Sequence, residues 1–433
     1  MNTPEPLLIA GARIIDPASG RDAGGDILIK NGRIAAIGNS VAADGARRIE
    51  AAGLVAAPGL VDVLVKTGEP GAEQRESLRS AGQAAAAGGV TTMVVSPQSD
   101  PAIDEPAMVD FILRRGRTRA PVHIVPAGGL SRGLEGRILA EIGLMKEAGA
   151  VLFSHGDSAI GNAALMRNAL LYARGMDVLI AARPISPDLG AGGVMNSGDF
   201  AARLGLPAIP AVAERIMVER DIALAEATGA RLMIDQLSTA AALDAVRRAK
   251  ARGVSIYCSA SIYHLTLNEL DVGDYRTFAH LSPPLRSGDD RKALVAGLGE
   301  GVIDALVSGH DPRPAEEKRL PFAQSAPGAI GLELLLAGAL SLVHNGDVPL
   351  KAVLQALTCG PASMLGLEAG RLETGAAADL VLFDADAPWV CDAQKLHSKS
   401  KNTPYDGRRM QGKVAMTFVD GQCVYPFQGQ DQD

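Results

Sequence analysis

Short apolar runs alternate with segments of helical period through the middle of the chain. Each run has the length of a buried strand, and each is followed by apolar positions that recur every three or four residues. Eight such runs occur, at 60–65, 91–95, 122–125, 151–153, 178–181, 231–234, 254–258 and 303–307. Eight strands separated by helices predict an α/β fold, a (β/α)8 TIM barrel over residues 58–370.

One interval shows how the helices are delimited. After the sixth apolar run, Ser238 and Thr239 can cap a segment rich in Ala and Arg, and Gly253 follows its last helical position near Arg252. Hydroxyl side chains are favoured at helix N-caps, and glycine is favoured just beyond the C-terminus. The sequence therefore predicts a helix between about 240 and 252.

The two ends of the chain have a different pattern. Residues 26–37 and 414–425 each consist of two short apolar runs, and the dipeptides Asn31-Gly32 and Asp420-Gly421 separate them. Such dipeptides favour two-residue hairpin turns. Because an isolated hairpin is marginally stable in water, we expect both ends to pair in one small β-sandwich domain, formed by residues 1–57 and 371–433.

Composition excludes several classes of protein. The net charge is -7 and aromatic residues make up 3% of the chain, which argues against nucleic-acid and anionic-membrane partners. The four cysteines are far apart, so free thiols in a reducing compartment are expected. The N-terminal residues have no basic segment followed by an apolar one, and the sequence predicts a cytoplasmic protein.

Four segments resemble motifs of the dihydroorotase family. They are A-A-A-G-G-V-T-T from position 85, A-A-R-L-G-L-P-A-I-P-A-V-A-E from 201, S-P-P-L-R from 282 and A-D-L-V-L-F-D from 378. The resemblance extends over nearly the whole chain. It implies a barrel with a β-sandwich, and the zinc-dependent hydrolysis of a cyclic amide.

The first barrel strand resembles the family's metal-binding strand in its frame but not in its donors. The family motif is P-G-x-x-D-x-H-x-H-x-R-E-P-G, in which the two histidines hold zinc and the arginine binds the substrate carboxylate. Here those three positions are Leu64, Lys66 and Gly68. Leucine has no lone pair, and an ammonium opposes a divalent ion by several kcal/mol, at about 4 kcal/mol per unit charge at 4 Å.

The other functional positions of the family are changed as well. In the family these are the asparagine of M-P-N-T, the F-S-D-D-G turn after strand four, the H-C-E of strand five, the H-x-x-H of strand six and the D-H-A-P-H of strand eight. The corresponding residues here are Gln98, His155, Ala181 with Arg183, Met233 with Gln236, and Gly309 with His310, Asp311 and Arg313.

These changes predict a protein without zinc and without catalytic residues. The resemblance then implies a dihydroorotase-like pseudoenzyme of pyrimidine biosynthesis, which acts as a structural partner of aspartate carbamoyltransferase in an oligomeric assembly. A stable barrel that has lost its ligands can still serve as a scaffold.

Two alternatives remain open. The protein could be an active dihydroorotase, or another cyclic amidohydrolase, whose site has been rebuilt with Lys66, His155, Asp235 or His310. It could instead be a binding module for a small anion, held by Lys66, Arg183 and Arg313. The residual pocket predicted from the sequence contains Lys66, Gln98, His155, Arg183, Asp235, His310 and Arg313.

Overall fold

A TIM barrel forms the centre of the computed structural model, which describes residues 5–426. Its strands, numbered with those of the rest of the chain, are β1 Leu7–Asp16, β2 Arg21–Lys30, β3 Arg33–Gly38, β4 Arg47–Glu50, β5 Val55–Pro58, β6 Leu60–Val65, β7 Val90–Val95, β8 His123–Pro126, β9 Gly128–Gly129, β10 Leu152–Ser154, β11 Leu179–Ala182, β12 Met195–Asn196, β13 Ala208–Ile209, β14 Leu232–Ile234, β15 Ile256–Ser261, β16 Ala305–Val307, β17 Leu380–Val390, β18 Arg409–Val419 and β19 Gln422–Tyr425.

Helices cover the outside of the barrel. They are α1 Leu78–Ala87, α2 Pro106–Arg119, α3 Ile142–Ala148, α4 Ala163–Gly175, α5 Asp199–Leu204, α6 Val212–Thr228, α7 Ala240–Ala251, α8 Ile262–Thr266, α9 Gly288–Gly299, α10 Ala315–Lys318, α11 Leu335–His344, α12 Leu350–Leu357 and α13 Cys359–Leu365. Helix α7 confirms the predicted helix. Its N-cap Thr239 accepts the amide of Ala242, and Gly253 takes the positive φ of 81° expected beyond a helix end.

The barrel strands are all parallel and fall into two hydrogen-bonded arcs. One arc has the order β6-β7-β8, and the other has the order β16-β15-β14-β11-β10-β9. Between β16 and β6 the arcs meet through single bonds, such as that from the Ser308 amide to a carboxylate oxygen of Asp62 at 3.0 Å. All carboxyl ends of the strands therefore open at one mouth, as the sequence predicts.

The strands from the two chain ends form one sheet of eight strands, with the order β19-β18-β17-β5-β1-β2-β3 and β4 beside β1. Both predicted turns are present, because Asn31 and Asp420 have φ of 53° and 47°. A side chain at Gly32 would come within 2.9 Å of the Asp420 carbonyl oxygen, so the two turns touch and the sheet curls on itself. The outermost residues of the predicted segments 1–57 and 371–433 lie outside the described range.

A buried ion pair joins the first turn of α6 to the segment before α9. Glu214 is fully buried and accepts hydrogen bonds from the amides and hydroxyls of both Ser238 and Thr239. Arg286 lies 3.6 Å from Glu214 and donates to the Ser238 hydroxyl, to Asn196 and to the Ile209 carbonyl. Two of the family-like segments therefore meet in one polar network beneath the surface.

Within residues 5–426, no helix combines the length and the apolar character needed to cross a membrane.

Candidate active site at the barrel mouth

Lys66 directly follows β6, the first barrel strand, and lies at the mouth of the barrel. The strand is irregular there, because the pairing of β6 with β7 shifts register between Asp62 and Val65, and Leu64 has a φ of 62°. A positive φ is rare for leucine, and such strain is found preferentially at functional sites. The Lys66 backbone amide donates a hydrogen bond to the His310 carbonyl at 3.1 Å. This bond fixes the lysine backbone to the segment that follows β16, the last barrel strand.

The Lys66 ammonium lies between two carboxylates. Its Nζ donates to Oδ2 of Asp157, which follows β10. It also donates to Oδ2 of Asp311, which follows β16, at 2.7 Å. Burial raises the pKa of Asp157, but the charges of Lys66 and Arg183 outweigh burial and lower the pKa to about 2. Asp157 therefore stays ionised at any physiological pH and holds the ammonium in place.

A second ion pair lies deeper in the mouth. Arg183 is 3% exposed and donates to Asp235 at 2.9 Å and to the Ser282 carbonyl, and its guanidinium lies 3.8 Å from Asp157. Asp235 also accepts the Ser259 hydroxyl at 3.0 Å. Burial raises the pKa of Asp235, and Arg183 opposes that shift. Two of the three guanidinium nitrogens of Arg183 therefore have partners within the protein, while its buried Nε has none among the described residues.

A cavity of about 210 Å³ opens above Lys66 and Asp311, and two arginines contribute to its wall. Arg313 donates to Asp311 at 3.1 Å and to the Pro327 carbonyl at 2.8 Å. Arg75 donates to Glu317 at 2.7 Å, while its Nε has no partner among the described residues. The charged residues that line the cavity are thus three cations, Lys66, Arg75 and Arg313, and two carboxylates, Asp100 and Asp311.

The sequence-predicted His155 and Gln98 have structural partners. His155 donates from Nδ1 to the Ser158 carbonyl at 3.2 Å and accepts the Ser131 hydroxyl at Nε2, at 3.1 Å. Burial lowers the pKa of His155, so the ring is neutral and both its nitrogens are occupied. The Gln98 side-chain oxygen accepts a hydrogen bond from the Asp157 backbone amide at 3.3 Å. This bond helps to position the Asp157 carboxylate.

His310 faces away from Lys66, into a buried pair with Glu76. Its Nδ1 accepts a hydrogen bond from the Gly331 backbone amide at 3.1 Å. Because an accepting nitrogen carries no proton, the ring proton is on Nε2. That Nε2 lies 3.7 Å from Oε2 of Glu76, both side chains have no exposure, and neither atom has a direct partner. The gap is longer than a hydrogen bond, so the two groups form a buried pair without direct contact.

The side chains around the mouth do not fit the family's zinc ions. Leu64, Ala181 and Met233 are buried and pack together in one apolar cluster, and Gly309 has no side chain. Zinc needs imidazole, thiolate or carboxylate donors at tetrahedral positions. Here the ammonium of Lys66 lies between the carboxylates of Asp157 and Asp311, and its positive charge opposes a divalent ion at this position.

Asp62 provides a test of electrostatics in the barrel. Burial raises the pKa of Asp62 to about 6, and its second oxygen has no partner. Because the pKa of Asp62 is higher in the folded state than in the unfolded state, its protonated form contributes stability to the fold. This contribution is fully present below about pH 4 and is lost as the pH rises through about 6. The free energy of unfolding of the wild type, relative to Asp62→Asn, should fall by about 2 kcal/mol between pH 4 and 7. Urea titrations at each pH measure this, and a difference that stays constant over that range contradicts it.

Sequence reasoning missed some polar residues of this region. Glu76 and Arg75 belong to the loop before α1 and reach the site only because that loop folds over the mouth, and no motif marks them. A further group lies at the opposite end of the barrel, where His123, Asp379 and Asp420 bring their donor atoms within 4.8 Å of one another. These three residues are too far apart in the chain for any spacing to indicate them.

Comparisons with known proteins establish the family. A family model described as dihydro-orotase-like matches residues 53–242, and an amidohydrolase family model matches 342–425. Dihydroorotase from Pelobacter propionicus is 41% identical over 97% of this chain and 99% of its own length. The chain belongs to the dihydroorotase family. Dihydroorotase from Citrifermentans bemidjiense is 40% identical over the same shares.

Solved structures of hydantoinases and of a dihydropyrimidinase are similar to this dihydroorotase family member. L-hydantoinase from Arthrobacter aurescens superposes with a TM-score of 0.87 at 25% identity, covering 96% of this chain and 95% of its own. Dihydropyrimidinase from Brevibacillus agri superposes with a TM-score of 0.84 at 20% identity, covering 97% and 95%. The α/β class and the TIM barrel with a β-sandwich are thereby confirmed.

The prediction of a non-catalytic protein is wrong on these findings. Relatives that match at about 40% identity over nearly the full length carry the name of an enzyme. The prediction equated the loss of the usual ligands with the loss of a polar site. The structure instead has a cation between two carboxylates at the mouth.

The prediction that the protein takes no metal is also contradicted. The dihydroorotase family is metal-dependent, and the group of His123, Asp379 and Asp420 offers three donor atoms to an ion. The sequence argument considered only the mouth, and it overlooked donors that meet between the barrel and the sandwich.

Proposed function

We propose that this dihydroorotase family member opens and closes a cyclic amide of the dihydroorotate type at the barrel mouth. The observation that carries the proposal is the Lys66 ammonium, held by Asp157 and Asp311 at the floor of an open cavity. The names of the relatives at about 40% identity support the same reaction.

Lys66 supplies the positive charge that ring opening requires. Attack of water on the ring carbonyl places negative charge on its oxygen, and a fixed cation stabilises that charge in the transition state. Because two carboxylates already orient the ammonium, little reorganisation is needed when the charge develops. Asp157, with its pKa near 2, is too weak a base to take a proton and serves to hold Lys66.

Asp311 is the candidate proton acceptor from the attacking water. Its side chain is 12% exposed, it lines the cavity, and its Oδ2 lies 2.7 Å from Lys66. A carboxylate within hydrogen-bond reach of both the water and the cation can accept a proton as the carbon–oxygen bond forms, and it can return that proton to the ring nitrogen as the carbon–nitrogen bond breaks. Arg313 donates to the same Oδ2 of Asp311 at 3.1 Å, and together with Lys66 it fixes the position of the carboxylate.

Arg75 is the candidate partner of the substrate carboxylate. It lines the same cavity and about a third of its side chain is exposed, so its guanidinium can donate to a carboxylate bound there. The family's arginine position is Gly68 here, so Arg75 supplies the charge from seven residues further along the chain.

The Arg75→Met variant should raise the KM for dihydroorotate about tenfold or more, with a smaller effect on kcat, because a bond to a charged group is worth about 1.5–3 kcal/mol. Steady-state kinetics measure both constants. The exposed Arg79→Met, on the same segment, serves as the control and should keep the wild-type KM. Equal KM values for wild type and Arg75→Met would rule out this role.

Growth complementation tests the proposed function in cells. The gene is expressed in a bacterial strain that lacks its own dihydroorotase, on medium without pyrimidines. We expect growth with the wild type and none with Lys66→Met at equal protein level. Absence of growth with a well-expressed wild-type protein contradicts an independent dihydroorotase activity.

Association with aspartate carbamoyltransferase stays a prediction, as does an oligomeric state. A catalytic barrel can also bind a transferase, so the proposed activity leaves this partner open. Co-purification of the transferase with the tagged chain from its native lysate tests it, and a tagged chain that elutes without the transferase contradicts it.

A further inference from the structure

A mixed donor group lies at the end of the barrel opposite the mouth. His123 is the first residue of β8, Asp379 directly precedes β17, and Asp420 occupies the turn between β18 and β19. One donor therefore comes from the barrel and two come from the sandwich. Their positions are separate from Lys66, which lies at the carboxyl end of β6.

The geometry of the donors suits one cation. His123 Nε2 lies 3.0 Å from Asp379 Oδ2 and 3.8 Å from Asp420 Oδ2, and all three ligand atoms lie within 4.8 Å of one another. A tetrahedral zinc with bonds of about 2.0–2.2 Å separates its ligand atoms by about 3.3–3.6 Å. Relative shifts of up to about 1 Å between the ligand atoms would bring them to such positions.

The surroundings of the group favour positive charge. Asp379 is 8% exposed, and its other carboxylate oxygen accepts the Asp420 amide at 2.7 Å, which fixes its orientation. The group borders a groove of about 670 Å³ whose further charged side chains are Arg117 and Glu368, which offset each other. Two carboxylate charges remain for a ligand to neutralise. Asp420 is 65% exposed, so an ion can enter from solvent and keep water as a further ligand.

We propose that His123, Asp379 and Asp420 bind one divalent transition-metal ion of the zinc type, which links the barrel to the sandwich. The imidazole distinguishes this donor set from an all-oxygen site for calcium or magnesium. The site goes beyond the proposed ring opening, because its donors lie at the other end of the barrel. An ion bound only by the folded chain stabilises the protein in proportion to the logarithm of its concentration.

The site also has an interpretation without metal. The hydrogen bond to Asp379 raises the pKa of His123 while burial opposes that shift, so a protonated His123 could form an ion pair with Asp379. Asp420 separates the two interpretations, because its carboxylate lies 3.8 Å from the ring and adds little to an ion pair. For a metal, in contrast, Asp420 is one of three protein ligands.

Calorimetric titration with Zn²⁺ tests the proposal on the full chain after removal of metal by a chelator. We expect one ion per chain for the wild type, at least about tenfold weaker binding for Asp420→Asn, and a melting temperature that rises with Zn²⁺ only in the wild type. Asparagine tolerates the positive φ of position 420 and retains a favourable hairpin turn, so the variant should fold. The exposed Asp386→Asn is the matched control.

His123→Gln provides a second variant, and Asp157→Asn provides a control at the mouth. Zn²⁺ binding of wild-type affinity in both Asp420→Asn and His123→Gln overturns the proposal, as does a wild type that binds no Zn²⁺. Loss of binding in Asp157→Asn alone would place the ion at the mouth and also overturn it. None of these results depends on turnover, so they are independent of the proposed activity.

Discussion

The Glu214→Ala variant is expected to unfold with a free energy lower by about 3–5 kcal/mol than that of the wild type. Glu214 has no exposure and accepts four hydrogen bonds, from the amides and hydroxyls of Ser238 and Thr239. Its removal leaves those donors unsatisfied and leaves the buried guanidinium of Arg286, 3.6 Å away, without its counter-charge. Urea unfolding followed by circular dichroism measures the loss.

Glu219→Ala is the matched control, since Glu219 lies on the same helix and is about two-fifths exposed. Its ion pairs are at the surface, and their loss should cost at most about 1 kcal/mol. Equal destabilisation by the two substitutions would show that the buried network contributes no more than a surface ion pair does.

The Lys66→Met variant is expected to lose about 100- to 1,000-fold in kcat for ring opening, with the fold retained. Loss of one preorganised charge at a developing oxyanion has an effect of this size in other enzymes. The substitution also removes the positive charge between Asp157 and Asp311, so the pKa of Asp157 should rise, since Lys66 is the main charge that lowers it.

Lys292→Met controls for the loss of a lysine, because its side chain is 71% exposed on helix α9. Circular dichroism spectra of the two variants should match that of the wild type. Turnover of Lys66→Met within threefold of the wild type would exclude the ammonium from the chemistry.

Local signals explain why the fold could be predicted from the sequence. The Asn31-Gly32 and Asp420-Gly421 turns need positive φ at each position, and asparagine, aspartate and glycine tolerate it. The cap at Thr239 and the stop at Gly253 similarly act within one helical turn. Repetition of apolar runs then determines the number of strands, because few folds alternate eight strands with helices.

The candidate site could be predicted only in part. Lys66, Arg183, Asp235 and Arg313 do lie at the mouth, but their partners were not evident from the sequence. Lys66 bonds to carboxylates 91 and 245 residues away, and only the closure of the barrel brings these groups together. His310 follows strand eight as predicted, yet its ring is directed to Glu76, because two backbone amides lie near its Nδ1.

The functional prediction failed for a related reason. The sequence shows which ligand types are missing from known positions, as at Leu64 and Met233. It does not show which charges the fold assembles instead. The ion pairs of Lys66 and the donor group at His123 both depend on contacts between distant segments.

Turnover of dihydroorotate by the purified wild-type protein tests the central claim most directly. The protein is prepared from a host without its own dihydroorotase and purified over two unrelated columns, and ring opening and ring closure are followed. We predict activity in both directions that co-elutes with the 433-residue chain and is absent from a parallel preparation of Lys66→Met. A folded wild-type protein with no turnover above the uncatalysed rate, in either direction and with Zn²⁺ supplied, would contradict the account.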